Sequence, residues 1–354
     1  GLEERAMIKF FRTIRQRMIK ENRFSRYFLY AIGEIVLVVI GILIAVNIND
    51  WNTDRKQGRE IRQLLTGLEK DLVVNIGACT ETMNWIATRD SVIELIIQGK
   101  VTRAMYETKQ VTPQFRSYKA TAIITENLNR ILEKEDVMGT EMAAMLALLK
   151  TYKQKIEHEA ITAERFRDYV MDMNTYLVDN MPWLMAYQDS SSAEAVDYFL
   201  NDPIYRNKTD LYQILMTHNF GHLVAERRNT ELALLYQLKE LDHVASPTDI
   251  ASEFQELGLS PLKAMDCDTE MDLSDPETKG FTPFIFNAGK DTLEVTITYI
   301  RRKEVRNPTT SIPPGSHMTS CIYFNQYVEL SAGGECIGRY IPDAQGYLIV
   351  GNTK

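Results

Sequence analysis

The chain has 354 residues, of which 45% are hydrophobic and 25% charged, a balance that excludes a disordered chain and is typical of globular proteins. Residues 1–27 hold eight basic and three acidic residues, a net +5, so the rest of the chain carries −13 to give the overall −8. This acidic remainder argues against nucleic acid as a partner. Four cysteines are too few for a disulfide scaffold.

The first predicted elements are a basic segment at residues 7–26 and a transmembrane helix at residues 27–48. The span contains two strongly polar side chains, Glu34 and Asn47. Its length as a helix is about 33 Å, enough to cross the hydrocarbon core of a membrane. No small-x-small cleavage site follows the apolar run, so the sequence predicts an uncleaved anchor rather than a signal peptide.

The charges that flank the span predict its orientation. Residues 7–27 hold seven basic residues and one acid, whereas residues 47–66 hold four and three. The positive-inside rule then places the N-terminus in the cytoplasm and the rest of the chain on the other side. Apolar residues at near-helical spacing also predict that segment 7–26 is an amphipathic helix lying on membrane lipid.

Glu34 is the unusual residue of the span, because an ionised carboxylate costs several kcal/mol inside a membrane. Glu34, Gly41 and Ala45 share one stripe of the helix, and small residues beside a polar one are typical of helix packing in membranes. We predict that this stripe mediates self-association or docking on a partner's span. Two alternatives stay open, in which Glu34 reaches the near interface or belongs to an ion pathway.

Residues 52–245 predict an extracytoplasmic helical bundle. Apolar residues recur with helical period in several stretches, and Asp202 followed by Pro203 is typical of a helix start. The clearest stripe comprises Ile61, Leu64, Leu65, Leu68, Leu72 and Ile76.

Residues 246–279 are rich in Pro, Ser and Asp and predict a linker with one short helix. Residues 280–354 alternate apolar and polar side chains between turn signals, which predicts a small β-sandwich. The predicted fold class is therefore mainly α with a C-terminal all-β domain and one N-terminal transmembrane helix.

The cysteines and histidines give two candidate sites. Cys321 and Cys336 are predicted to form a disulfide across a hairpin, whereas Cys79 is predicted to be a buried small hydrophobe. His218, His222 and Glu226 follow one another at four-residue spacing, which in an α-helix brings two imidazoles and a carboxylate to one face, as in some metal sites. The alternative is that these histidines pack against neighbouring side chains or cap a helix. No glycine-rich nucleotide loop or nucleophile elbow occurs in the sequence.

Two resemblances add to these inferences. The basic start, the blocks YAIGEI and VIGILIA, and the Asn-x-Asn-x-Trp exit resemble the shared start of a family of uncharacterised single-span envelope proteins from Bacteroidota-type bacteria. That resemblance implies a bacterial inner-membrane protein with periplasmic C-terminal domains. It implies no activity, because the family is uncharacterised.

The second resemblance concerns residues 284–330. An opening Phe-Ile-Phe-Asn strand, a polar hairpin and a Pro-Pro-Gly turn at 313–315 are similar to the von Hippel–Lindau β-domain. The resemblance implies a fold but not that domain's peptide ligand. Gln326 and Val328 stand about where a pocket histidine and tryptophan would fall, and no tryptophan follows Trp183.

These observations predict a membrane-anchored, non-enzymatic interaction, scaffold or sensor-like envelope protein that forms oligomers and binds no cofactor. Its expected partners are membrane lipid and either a second copy or another envelope protein. The alternatives are an extracytoplasmic enzyme or metal-binding protein with a site on the bundle, and a channel-forming oligomer.

Overall fold

The fold is that of a computed structural model, which describes residues 16, 24–112, 116–184, 192–241, 247–301, 303–343 and 345–351. Most of the predicted basic segment, residues 7–15 and 17–23, lies outside the described residues. The chain divides into two compact units, Gly1–Gln63 and Leu64–Lys354.

Helices come first in the chain and strands follow, so the predicted class of a mainly α protein with a C-terminal β region is confirmed. The helices are α1 (Phe24–Ile97), α2 (Arg103–Glu107), α3 (Glu126–Leu132), α4 (Ala143–Asn180), α5 (Ala193–Asn201), α6 (Pro203–Gln213), α7 (His222–Leu241) and α8 (Pro247–Glu256), with a π-helical segment, Ile214–Gly221, between α6 and α7. The strands are β1 (Ser260–Pro261), β2 (Lys279–Phe281), β3 (Phe284–Asn287), β4 (Leu293–Arg301), β5 (Glu304–Arg306), β6 (Thr309–Ile312), β7 (Tyr323–Ala332), β8 (Glu335–Tyr340) and β9 (Gly346–Val350).

The first unit contains the apolar part of α1. The most apolar 18-residue window of this helix has a mean hydropathy of 2.7 and none of it is buried, so α1 is long and apolar enough to cross a membrane. Glu34, Gly41 and Ala45 are exposed on α1, and a Cβ added at Gly41 would meet no atom within 4 Å. The structure does not test the role in helix packing that the sequence predicts for these three residues.

In the second unit the remainder of α1 packs as its spacing predicts. Leucines and other apolar residues recur every three or four positions, which places them on one face of a helix. The buried apolar members of this stripe are Leu64, Leu68, Leu72, Ile76, Cys79, Met83, Ile86, Ile93 and Ile96. The predicted start of α6 is also confirmed, because the Asp202 side chain accepts hydrogen bonds from the backbone N–H groups of Ile204 and Tyr205, and Pro203 follows it.

The strands form two sheets that share a hydrophobic core. The smaller sheet has the order β1-β9-β3 with parallel pairings, and the larger has the order β2-β7-β4-β5, with β8 also on β7 and β6 also on β4. Alternation along β3 explains the layering. Phe284 and Phe286 pack against the helices, whereas Ile285 packs against the larger sheet. The smaller sheet is therefore covered on both faces, as is usual for parallel pairing.

The predicted disulfide is wrong. Cys336 is bonded to Cys267, with Cα atoms 6.2 Å apart, and Cys321 is a free, buried cysteine. The segment before β2 runs beside β8, where Met265 exchanges backbone hydrogen bonds with Arg339, and this brings Cys267 to Cys336. The composition of that segment predicts a linker, and its contact with β8 joins residues too distant in sequence for a hairpin pattern to indicate. Cys79 is buried, as predicted.

Helices and strands of the second unit share hydrophobic clusters. One contains Phe220 with Phe281 and Tyr323, and another contains Tyr236 with Phe286. Strand β1 and helix α8 lie within the predicted linker 246–279. The division into a helical bundle at residues 52–245 and a β-domain at residues 280–354 therefore stays a prediction.

Candidate functional site

The π-helical segment Ile214–Gly221 marks the place where α1, the sheet and the α6–α7 helices meet. Short π-helical stretches are rare and frequently occur at functional sites. Gly221 permits a close approach there. A Cβ at this position would lie 2.9 Å from Phe281 Cζ on β2, 3.0 Å from Ile86 Cδ1 on α1 and 3.2 Å from the Met216 carbonyl oxygen. Any larger residue would push these elements apart.

A polar cluster, which we call the π-junction, lies beside this segment and comprises Asp90, Glu94, Gln213, Thr217 and Lys279. Asp90 on α1 is 1% exposed, and its Oδ1 accepts hydrogen bonds from Gln213 Nε2 (2.9 Å) and Thr217 Oγ1 (3.0 Å). Lys279 Nζ on β2 lies 2.5 Å from Asp90 Oδ2 and 2.9 Å from Glu94 Oε2. The π-junction thus ties α1, the π-helical segment and β2 together.

The opposite charges of Lys279 and Glu94 keep both groups ionised in the π-junction. Burial alone would lower the pKa of Lys279, but Asp90 and Glu94 raise it above its ordinary value. Burial would raise the pKa of Glu94, but the hydrogen bond and charge of Lys279 lower it. Lys279 is therefore an ammonium and Glu94 a carboxylate at neutral pH.

His218 lies next to the π-junction in an aromatic stack. Its ring lies 5.0 Å from that of Phe324 at 17°, and Phe324 lies 5.2 Å from Tyr299 at 23°. Burial lowers the pKa of His218, so the imidazole is neutral at pH 7. It therefore stacks as an uncharged ring.

The structure does not assemble the predicted metal site of His218, His222 and Glu226. Glu226 binds His222 Nε2 at 3.3 Å and Lys155 Nζ at 2.9 Å, while His218 stacks on Phe324. Among the described residues, no group of three His, Cys, Asp or Glu side chains is placed to hold a metal ion. The prediction assumed α-helical winding, but His218 lies in the π-helical segment, whose i→i+5 hydrogen bonds change the angle between successive residues.

A second buried network crosses from α4 to α7 and is centred on Arg227. The Arg227 Nε donates to Glu159 Oε2 at 2.6 Å, NH2 donates to Glu159 Oε1 at 3.2 Å, and NH1 donates to Glu231 Oε1 at 2.6 Å. Arg227 and Glu231 are fully buried, and Glu159 is 2% exposed. Two carboxylates therefore share one guanidinium away from water.

Neutral groups complete this network. Tyr152 donates to Glu231 Oε1 at 2.8 Å, Asn75 on α1 donates to the Tyr152 hydroxyl at 3.0 Å, and Cys79 Sγ lies 3.4 Å from Glu231 Oε2. Burial raises the pKa values of Tyr152 and Cys79, so both remain protonated donors. Arg228 is also fully buried; burial lowers its pKa, and Glu231 is among the groups whose charge opposes that shift. A buried, hydrogen-bonded network of this kind favours one arrangement of the core.

This chemistry is suited to holding elements together. Carboxylates of both networks accept hydrogen bonds from cations inside the protein. Burial also raises the pKa of Cys321 to about 12, so the thiol stays neutral and is a poor nucleophile at pH 7.

We expect His317 to make the protein less stable in acid. Burial, with the charge of Lys155 nearby, lowers its pKa to about 4 against the opposing effect of Glu226, and its Nε2 is buried with no hydrogen-bond partner in the described part of the chain. A histidine in an unfolded chain has a pKa of ~6.5. His317 therefore contributes its full stabilisation above that pKa, and this stabilisation is lost as the pH falls towards the lower pKa of the folded state.

The variant His317→Gln should lose this part of the acid sensitivity, as measured by the urea midpoint of the full chain across that pH range. His158→Gln, the same change at an exposed histidine, is the matched control and should keep the parent's pH dependence. An equal pH dependence in parent and His317→Gln would contradict the assignment.

Sequence reasoning missed Asp90, Lys279, Glu159, Arg227 and Glu231. A signal for the last two exists in the run Glu226–Glu231, where charged and polar residues occupy every face of a helix between apolar stretches. A helix with polar residues all round, within an apolar sequence, indicates internal ion pairs. No comparable signal marks Asp90 or Lys279, because their partners are distant in sequence.

Residues 34–93 match the model of a family of unknown function, DUF6090. The match covers most of the apolar part of α1 and its first packed part, including Asn75, Cys79 and Asp90 of the two networks. No curated protein and no solved structure matches the chain. The resemblance of residues 284–330 to the von Hippel–Lindau β-domain therefore stays an expectation.

Proposed function

We propose that this chain is a single-pass protein of a bacterial inner membrane, with a cytoplasmic N-terminus and residues 64–354 in the periplasm. The bond between Cys267 and Cys336 is the observation that carries this placement, because disulfides persist in oxidising compartments and are rare in the cytosol. The basic residues before the span favour the same orientation. The two inferences are independent, since one rests on charge and the other on redox chemistry.

We further propose that the periplasmic part is a non-enzymatic interaction or scaffold module that acts in an oligomer. The two buried networks support this role, because their ionisable groups bind one another across α1, α4, α7 and β2. Groups held in this way define a rigid surface and are not free to exchange protons with a substrate.

The orientation is tested with reporters fused after Lys354. A phosphatase that is active only outside the cytoplasm should be active in this fusion, and a fluorescent protein that matures only in the cytoplasm should stay dark. The reverse pair of results would overturn the placement. Exchanging Arg12, Arg15, Arg17 and Lys20 for Glu is the control, because it removes the positive bias and should lower the phosphatase signal.

The spans are proposed to associate through Glu34, Gly41 and Ala45. Glu34→Gln keeps a hydrogen bond and should retain association, whereas Glu34→Leu and Gly41→Leu should weaken it, by about 0.6–2 kcal/mol for the lost hydrogen bond. Gly33→Leu is the matched control, because Gly33 lies off the stripe and also has open space around it. The oligomer fraction in mild detergent measures the effect. If Gly33→Leu and Gly41→Leu behave alike, the stripe has no special role.

A further inference from the structure

The outer edge of the larger sheet is open and basic. Strands β5 and β6 pair one after the other with β4, and no described strand pairs with their far side. The turn at residues 299–306, which we call the basic hairpin, holds four basic residues and one acid in a region of the chain that is otherwise acidic. Exposed sheet edges are places where another chain can bind.

The basic hairpin also exposes an apolar pair. Ile300 and Val305 are direct partners across the hairpin and are 37% and 58% exposed. Arg301, Lys303 and Arg306 are exposed in the same hairpin, and Lys303 adopts a φ of 67° at the turn. A hairpin that exposes both aliphatic side chains and cations is suited to contact with an acidic protein surface that also offers apolar groups.

The opposite edge of the same sheet is acidic. Between Lys263 and Lys279 there are six acids and no basic residue, and we call this stretch, residues 264–278, the acidic connector. All six acids are exposed: Asp266, Asp268, Glu270, Asp272, Asp275 and Glu277.

The acidic connector is fixed to its edge by three kinds of contact. Met265 exchanges backbone hydrogen bonds with Arg339 on β8, Cys267 is bonded to Cys336, and Asn325 on β7 donates to the Asp275 carbonyl oxygen. Apolar side chains, Met271 and Leu273, stand between the acids and are partly exposed.

We propose that copies of this chain associate head to tail, with the basic hairpin of one copy on the acidic connector of the next. The two surfaces have opposite charge and lie on opposite edges of one sheet, with β7 and β4 between them. One copy cannot pair its own two edges, so each copy presents one surface to each neighbour. Such heterologous contacts build rings or rows rather than closed pairs.

This inference rests on the proposed function in one respect. A contact between two sheet edges is small and weak in dilute solution, and it becomes effective when the copies share a membrane plane and their effective concentration is high. Because the contact is between exposed charges, it should weaken as ionic strength rises.

The test measures energy transfer between donor- and acceptor-tagged full-length copies in bilayers of neutral phosphatidylcholine. The hairpin-reversed variant carries Arg301→Glu and Lys303→Glu. The connector-reversed variant carries Asp266→Lys, Glu270→Lys and Glu277→Lys. Each variant alone brings like charges together and should reduce transfer by about tenfold, whereas a mixture of the two restores opposite charges and should recover it. Recovery cannot arise from misfolded copies.

Two outcomes would overturn the proposal. In the first, each variant alone transfers energy as well as the parent, or the mixture fails to recover. In the second, hairpin reversal lowers transfer while connector reversal does not, which would assign the hairpin another partner such as a lipid surface. In the parent, a carbodiimide should link Lys303 of one isotope-labelled copy to the connector of an unlabelled copy.

The same measurements in a Gly41→Leu background separate this inference from the association of the spans. Transfer that depends on charge reversal but not on Gly41 supports the edges and counts against the spans. Energy transfer that depends on Gly41 but not on charge reversal supports association of the spans and counts against the contact between sheet edges. The reporter fusions after Lys354 test the orientation independently of both.

Discussion

Replacing Arg227 by methionine is expected to lower the free energy of unfolding of residues 64–354 by about 3–5 kcal/mol, the usual cost of removing one partner from a buried ion pair. The side chain that remains has similar length, so little packing is lost. The loss arises because Glu159 and Glu231 are left as two carboxylates in the core, each within 3 Å of the missing guanidinium in the parent. Neither can reach water, since both are at most 2% exposed.

The size of this loss should depend on pH. Burial already raises the pKa of Glu231 in the parent, and removal of Arg227 takes away the charge that opposes that shift. A raised carboxyl pKa means that the folded protein holds more protons than the unfolded chain, so its stability falls as the pH rises from about 4.3 through the folded pKa. Arg227→Met should therefore be closer to the parent in mild acid than at alkaline pH.

Urea unfolding of the full chain in mild detergent, followed by tryptophan fluorescence, measures the effect. Arg167→Met is the matched control, because Arg167 also binds two acids, Glu164 and Asp168, but does so on the exposed face of α4. This control should leave the midpoint unchanged. If the two variants unfold at the same urea concentration, the buried network does not carry the stability assigned to it.

Sequence patterns predicted the parts of the fold that depend on local periodicity. The stripe from Leu64 to Ile76 follows from a 3.6-residue period, and the start at Asp202 and Pro203 follows from capping chemistry. The alternation along β4 similarly indicates a strand with one buried face. Each of these signals lies within a few residues of the feature that it specifies.

The features that were missed depend on contacts between distant residues. Asp90 meets Lys279 across 189 positions of the chain, and Arg227 meets Glu159 across 68. A single sequence carries no record of such pairs. The π-helical segment is a similar case, because Gly221 at its end packs closely against Ile86 and Phe281, which are distant in sequence. The metal prediction for His218 and His222 was wrong, because His218 lies in this segment and stacks on Phe324.

The candidate site was therefore only partly accessible to sequence reasoning. The sequence offers His218 and Glu226 as metal ligands, with packing of the histidines as the alternative; in the structure His218 stacks on Phe324 of β7 and Glu226 binds Lys155 of α4. Their chemistry was misassigned, because spacing alone cannot show whether an imidazole faces a carboxylate, an aromatic ring or a metal. The polar run on α7 could have indicated the Arg227 network, because buried helices rarely carry consecutive charges without internal partners.

The disulfide gives the second large effect. Cys267→Ser should lower the free energy of unfolding by about 2–4 kcal/mol under oxidising conditions, because the bond closes a long loop and restricts the unfolded chain. The bonded residues are 69 positions apart, so much of the β region lies within that loop. Reductant should destabilise the parent and leave Cys267→Ser unchanged, which separates the bond from the packing of the side chain.

A control variant distinguishes the observed bond between Cys267 and Cys336 from the bond between Cys321 and Cys336 that the sequence predicts. Cys321→Ala removes a buried thiol but no bond, so its stability should still fall when reductant is added. If Cys321→Ala became insensitive to reductant, the bond would join Cys321 to Cys336 after all. Cys267→Ser should also lower energy transfer between copies, because the acidic connector loses its covalent attachment to β8 and keeps only its hydrogen bonds. A connector that is held less firmly must be ordered before the basic hairpin can bind it, and that ordering costs free energy.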